Sequence, residues 1–126
     1  MTGDTAAVGL VLLDKPEGYT SFKAAAVLRR IYGTKRVGHT GTLDPMATGA
    51  LPVLIGRATR LCSFVALSDK EYIADIRLGI TTDTLDITGR VLTECVPDVS
   101  DERLLDAAAH FKGEYDQIPP MFSAIS

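Results

Sequence analysis

The chain has 126 residues, enough for one compact hydrophobic core, with 46% hydrophobic and 23% charged residues. No window reaches the roughly 18 apolar residues that a membrane span requires, the N-terminus has no signal-peptide pattern, and a cytoplasmic location is expected. The net charge of −3 conceals an asymmetry: residues 1–60 carry eight Lys/Arg against four Asp/Glu, and residues 61–126 carry five against twelve. Lys23, Arg29, Arg30, Lys35, Arg36, Arg57 and Arg60 all fall in the first group, so a basic face toward a phosphate backbone is compatible with the acidic average. An ordinary solvated helix face explains the same charges.

Val8 to Leu13 is a short apolar run stopped by Lys15-Pro16, which predicts a buried strand followed by a turn at Glu17-Gly18. Thr20 or Ser21 can cap a helix whose core stripe is Ala24, Val27, Leu28 and Ile31, ending at Gly33. Residues 37–49 read as a long structured loop, and Leu51 to Ile55 as another apolar run. A second helix is expected over Ala58, Leu61, Cys62 and Val65. From Glu71 to Leu78 the pattern alternates, with Tyr72, Ala74, Ile76 and Leu78 on one face, predicting a half-buried strand. Gly79 to Gly89 reads as a polar connection and Val91 to Val96 as a partner strand. Ser100 caps a third helix with Leu104, Ala107, Ala108 and Phe111 inward and Gly113 at its end. Strands and helices joined by connections of varied length favour an α+β fold over a regular βαβ repeat.

Cys62 and Cys95 are far apart, and His39 and His110 are the only other soft ligands, so neither a disulfide framework nor a metal site is expected. Both cysteines are read as small core residues. No nucleotide motif is present, and no cofactor is expected.

Residues 38–49, GHTGTLDPMATG, carry the strongest chemical signal. Gly38, Gly41 and Gly49 permit unusual backbone angles, while Pro45 biases Asp44 away from helix and stiffens the turn. A carboxylate would project from a rigid loop. Asp-Pro is also common in ordinary turns, and a Gly-x-x-Gly phosphate cradle without Gly-Lys-Ser/Thr is nonspecific.

The string GHTGTLDPMATGALPVLIGRATRL, residues 38–61, resembles the signature of the TruB family of bacterial-type tRNA pseudouridine synthases. Four further segments are similar to family motifs: Leu13 to Ser21, Asp69-Lys70-x-Tyr72, Gly79-x-x-Thr82-Asp83-Thr84-x-Asp86, and Gln117 to Ala124. The resemblance implies a mixed, mostly antiparallel sheet with flanking helices, of which residues 1–126 would be the N-terminal part of a single catalytic domain. The C-terminal half, with a basic residue facing the aspartate, and an RNA-binding domain would lie outside these residues, and residues 1–126 alone are expected to be inactive. The implied reaction converts a uridine in the T-loop of tRNA, at tRNA position 55, to pseudouridine. Asp44 matches the catalytic aspartate. His39 matches the residue that fills space left by extruded bases, Tyr72 the tyrosine that stacks on the target uracil, and Arg60 a basic residue near the site. Lys15, Pro16, Gly41 and Pro45 are read as structural support. The implied partners are tRNA and the C-terminal portion of the domain, with no membrane and no metal. Two other readings stay open: a guide-RNA-dependent relative of the same family, and a noncatalytic RNA-binding or RNA-folding module.

Overall fold

The computed structural model describes residues 7–66, 68–114 and 116. The chain divides into two compact units, residues 1–71 and 72–126. In the first, β1 (Gly9–Lys15), α1 (Ser21–Ile31), β2 (Val37–His39) and β3 (Gly49–Ile55) are followed by a 3-10 helix (Gly56–Leu61) and the short α2 (Cys62–Ala66). In the second, β4 (Ile80–Thr82) and β5 (Val91–Glu94) form a hairpin that precedes α3 (Asp101–Ala109). Among the described residues all strand pairs are antiparallel. Helices and antiparallel strands in this arrangement make an α+β fold, as the sequence predicts.

The first sheet has the order β1-β3-β2, with Val11 opposite Val53, Leu13 opposite Leu51 and His39 opposite Val53. Alternation along the strands puts Leu51, Val53 and Ile55 on one face, where they pack with Val37 and with Ala24, Ala25 and Leu28 of α1. Each fully buried Val or Leu contributes about 1.5–3 kcal/mol through removal of apolar surface from water. The buried stripe of α1 is Ser21, Ala24, Ala25 and Leu28, at i, i+3, i+4 and i+7. Ile31, expected in the core, is 65% exposed, and Ala25 takes its place, because the small side chains let the helix lie close to the sheet.

On the other face of β1, Leu10 and Leu12 are exposed. The apolar run from Val8 to Leu13, read as a buried strand, is covered on one face. Within residues 37–49 the chain forms β2, a three-residue strand that the Gly-rich composition hides. The predicted second helix begins instead as a 3-10 turn, in which Thr59 donates to the Gly56 carbonyl at 2.9 Å.

The second unit departs further from the sequence reading. Residues 71–77 form no strand, and Tyr72, Ile73 and Ile76 are exposed. An alternating pattern makes a strand only where a partner completes its hydrogen bonds, and among the described residues none pairs with this segment. The partner of β5 is Ile80–Thr82, inside the expected connection, with a register shift between Thr81 and Thr82. Ser100 caps α3 as expected, accepting from the Arg103 N–H at 3.4 Å. However, α3 buries no residue: Leu104 is half-buried, and Ala107, Ala108 and Phe111 are exposed. Nor are the cysteines core residues, since Cys62 is half-buried and Cys95 exposed.

Gly56 turns the chain out of β3 at φ 63°, and a methyl group there would overlap the Ala7 carbonyl. Gly56→Ala therefore meets both left-handed strain and a backbone clash. It should destabilise the chain by about 1–3 kcal/mol, read as a fall of several degrees in thermal midpoint. An unchanged midpoint would contradict this packing.

Candidate active site

Lys15 ends β1 on the core face and is fully buried, despite carrying a charge. Its Nζ donates to the carbonyls of Tyr19 at 2.6 Å, Pro16 at 3.0 Å and Pro45 at 3.3 Å. An ammonium group has three donors, and three carbonyl dipoles here offset the desolvation of one charge. Two of the acceptors lie in the turn that leads to α1, and the third lies 30 residues away, next to Asp44. The Gly18 N–H donates to the same Pro45 carbonyl at 2.7 Å. Gly18 sits at φ 77°, where a side chain would be strained, so the turn that makes this contact requires glycine.

The other side of Asp44 is held as well. Ser21 Oγ accepts from the Leu43 N–H at 2.9 Å and donates to the Leu43 carbonyl at 3.3 Å, while the Leu43 side chain packs against the core. The Ala47 N–H donates to the Asp44 carbonyl at 3.0 Å, closing a tight turn over Pro45 and Met46. Within this frame the Asp44 residue is itself exposed. The result is a fixed backbone that presents an accessible carboxylate, an arrangement suited to a nucleophile or to stabilising positive charge.

His39 closes β2 at the start of the same loop and is half-buried. Its Nδ1 lies 2.7 Å from the Gly41 carbonyl, so Nδ1 carries the proton and donates. Nε2 is then the ring's remaining hydrogen-bonding atom. Thr40, between them, is buried, and its N–H donates to the Pro52 carbonyl at 3.1 Å. Arg60 lies exposed in the last turn of the 3-10 helix, with no ion pair to Asp44 among the described residues. Tyr72 belongs to the second unit, where it is 66% exposed, so it is not the strand-face residue the alternation implied.

Three further residues bear on the reading of the basic half. Arg29 is half-buried, its Nη2 donates to the Val37 carbonyl at 3.4 Å, and its guanidinium lies 5.0 Å from the Phe22 ring centroid. It joins α1 to β2. Arg30 is the exposed cation of the pair. Lys23 lies 4.2 Å over the Tyr19 ring.

The acidic motif of the second unit serves its own hairpin. Asp86 Oδ1 accepts from Thr88 Oγ1 at 2.6 Å, from Thr84 Oγ1 at 2.7 Å and from the Thr88 N–H at 2.8 Å. These bonds, with that from the Thr88 hydroxyl foremost, favour the ionised form and hold the carboxyl below its ordinary value. Asp83 Oδ1 accepts from the Arg90 N–H at 2.8 Å. The last of the five motif segments, residues 117–124, lies outside the described residues.

The family model described as "TruB family pseudouridylate synthase (N terminal domain)" matches residues 29–126. The chain belongs to the TruB family. Among curated relatives, the tRNA pseudouridine synthase B of Syntrophus aciditrophicus is 45% identical over 117 residues, covering 93% of this chain and 38% of the relative. That of Chlamydia felis is 48% identical over 117 residues, covering 92% of this chain and 50% of the relative. A solved structure, the crystal structure of a Cbf5-Nop10-Gar1 complex, aligns with 94% of this chain and 31% of its own at TM-score 0.62 and 28% identity. This TruB chain thus spans half or less of the length of these curated relatives.

The three-carbonyl nest predicts the effect of Lys15→Met, which keeps the aliphatic stem and removes the donors. It should cost about 2–4 kcal/mol in denaturant unfolding, since it removes the charged donor shared by the Pro16, Tyr19 and Pro45 carbonyls. A loss below about 0.5 kcal/mol would show that Lys15 does not hold the loop.

Proposed function

We propose that residues 1–126 form the N-terminal part of a single pseudouridine-synthase catalytic domain, and that the complete protein isomerises a T-loop uridine of tRNA, at tRNA position 55, to pseudouridine. The observation that carries this reading is the exposed Asp44 carboxylate in a TruB signature loop whose backbone is fixed on both sides. The reaction breaks N1–C1′, turns the uracil and bonds C5 to C1′. C5 loses a proton and N1 gains one, so there is no net oxidation or reduction, and the chemistry needs a positioned carboxylate more than an external reagent.

In this reading Asp44 acts on the sugar or base as nucleophile or charge stabiliser. A uridine inside a folded RNA loop must first be extruded, which costs a few kcal/mol that stacking in the vacated space partly recovers. The half-buried imidazole of His39, oriented by the Gly41 carbonyl, suits that filling role, and Tyr72 offers a ring for the flipped uracil. Arg60 supplies a cation for a nearby phosphate. Lys15, Pro16, Gly41 and Pro45 serve as the frame. The rest of the site and further RNA contacts would come from sequence outside residues 1–126. The names of the 45–48% identical relatives favour tRNA as the substrate over a guide-RNA-directed target.

Asp44→Asn tests the chemistry, because it preserves shape and removes the charge and nucleophile. In the full-length protein it should leave folding and tRNA binding near parental values and abolish pseudouridine formation, detected by chemical labelling and primer extension. Conversion within tenfold of the parent would reject Asp44. A parent that binds tRNA without product would instead establish a noncatalytic module.

A basic RNA surface predicts tRNA affinity that falls steeply between about 50 and 200 mM salt as counterions are released. Arg30→Glu should weaken binding and flatten the salt slope without loss of thermal stability, whereas Arg29→Glu should also unfold the α1–β2 junction. Salt-independent binding would place recognition elsewhere.

A further inference from the structure

Ser21 opens α1, but it does not cap the helix. That task falls to Thr20, whose Oγ1 accepts from the Lys23 N–H at 3.1 Å. Ser21 is 2% exposed, and its hydroxyl faces a segment 22 residues further along the chain. There it accepts from the Leu43 N–H and donates to the Leu43 carbonyl, at 2.9 and 3.3 Å. One hydroxyl satisfies both backbone groups of a single residue, as a neighbouring strand would. Among the described residues these groups have no other partner.

The place of that contact gives it a consequence for chemistry. Leu43 immediately precedes Asp44, and Pro45, which follows, has no N–H to tether. Pro45 is held through its carbonyl by Gly18 and Lys15, so the other end of the Asp44 backbone depends on Leu43. The core contact of the Leu43 side chain restrains its position, and among the described residues the Ser21 hydroxyl is the hydrogen-bond partner that resists rotation of the peptide leading into Asp44. A small rotation there swings an exposed carboxylate through a wide arc.

We propose that Ser21 is a positioning residue for Asp44, setting the direction of the carboxylate through the Leu43 backbone and acting separately from helix capping. This rests on the reading of Asp44 as the catalytic group. Alanine at 21 suits the helix and removes only the bridge, whereas threonine keeps a hydroxyl at the same carbon. A misdirected catalytic group costs up to about a hundredfold in rate without weakening substrate binding.

The test compares parent, Ser21→Ala, Ser21→Thr and Thr20→Ala in the full-length protein, by pseudouridine formation on tRNA and by amide hydrogen exchange at Leu43. Ser21→Ala should lower kcat roughly ten- to a hundredfold, leave KM within about twofold, and speed Leu43 exchange on the order of tenfold. Ser21→Thr should recover most of both, and Thr20→Ala should lower the thermal midpoint while keeping kcat within about twofold. Unchanged kcat in Ser21→Ala overturns the proposal, as does unchanged Leu43 exchange. So does a threonine variant that protects Leu43 yet stays as slow as alanine. A parent inactive on tRNA rejects the pseudouridylation reading instead, and Leu43 exchange then still decides whether the bridge holds the loop.

Discussion

A carboxylate on a loop is useful only if the loop cannot swing it away, and here the restraint comes from one corner of the fold. The segment from Lys15 to Ser21 leaves the first strand and enters the first helix. From that corner it reaches the chain on both sides of Asp44: Ser21 at Leu43, and Lys15 with Gly18 at Pro45. The corner is itself fixed because Lys15 ties Pro16 and Tyr19 into the same nest. Burying an ammonium group without an anionic partner is costly, and the cost is offset only while all three carbonyls converge. The loop and the corner are therefore coupled, and one cannot relax without the other losing its partners.

The core enforces the same geometry from below. Ala24 and Ala25 of α1 share one buried cluster with Val37 of β2 and Val53 of β3, and their small side chains let the helix lie low enough for a side chain as short as serine to span to Leu43. Larger residues at 24 and 25 would lift the helix off the sheet. The order β1-β3-β2 then sets both ends of the loop, since His39 ends β2 and Gly49 begins β3, with β1 on the far side supplying Lys15. Packing, capping and the candidate chemistry share a few residues, and for that reason the site can stay ordered on a small sheet.

The first unit was legible in the sequence wherever local pattern and tertiary role agree. β1, α1 and β3 follow from apolar periodicity, and Asp44 stands out through its Gly- and Pro-rich setting. Ser21 was read only as an alternative cap, although the Thr20-Ser21 pair held a signal. A helix start needs one capping hydroxyl, and a second, adjacent one is free for another task. Arg29 illustrates the converse: counted as surface charge, it is bonded to the Val37 carbonyl, and composition cannot distinguish the two. β2 was hidden because three residues among glycines have no period to read. The segment 71–77 shows where pattern alone fails, since alternation describes a surface that would suit a strand but supplies no partner. Membership of the TruB family is shown by sequence similarity, while the roles of His39, Tyr72 and Arg60 rest on resemblance and chemistry.

The central claim is that a backbone already fixed in the free protein delivers the Asp44 carboxylate to the reacting nucleotide. A crystal structure of the full-length protein bound to a tRNA T-stem-loop tests it most directly. The account predicts the target uridine extruded, an Asp44 carboxylate oxygen about 3–3.5 Å from C1′ or from the base carbon undergoing reaction, and the backbone of residues 43–45 within about 1 Å of its free position. A target nucleotide seated away from Asp44, or a loop that abandons Ser21 and Lys15 to reach it, would contradict the account.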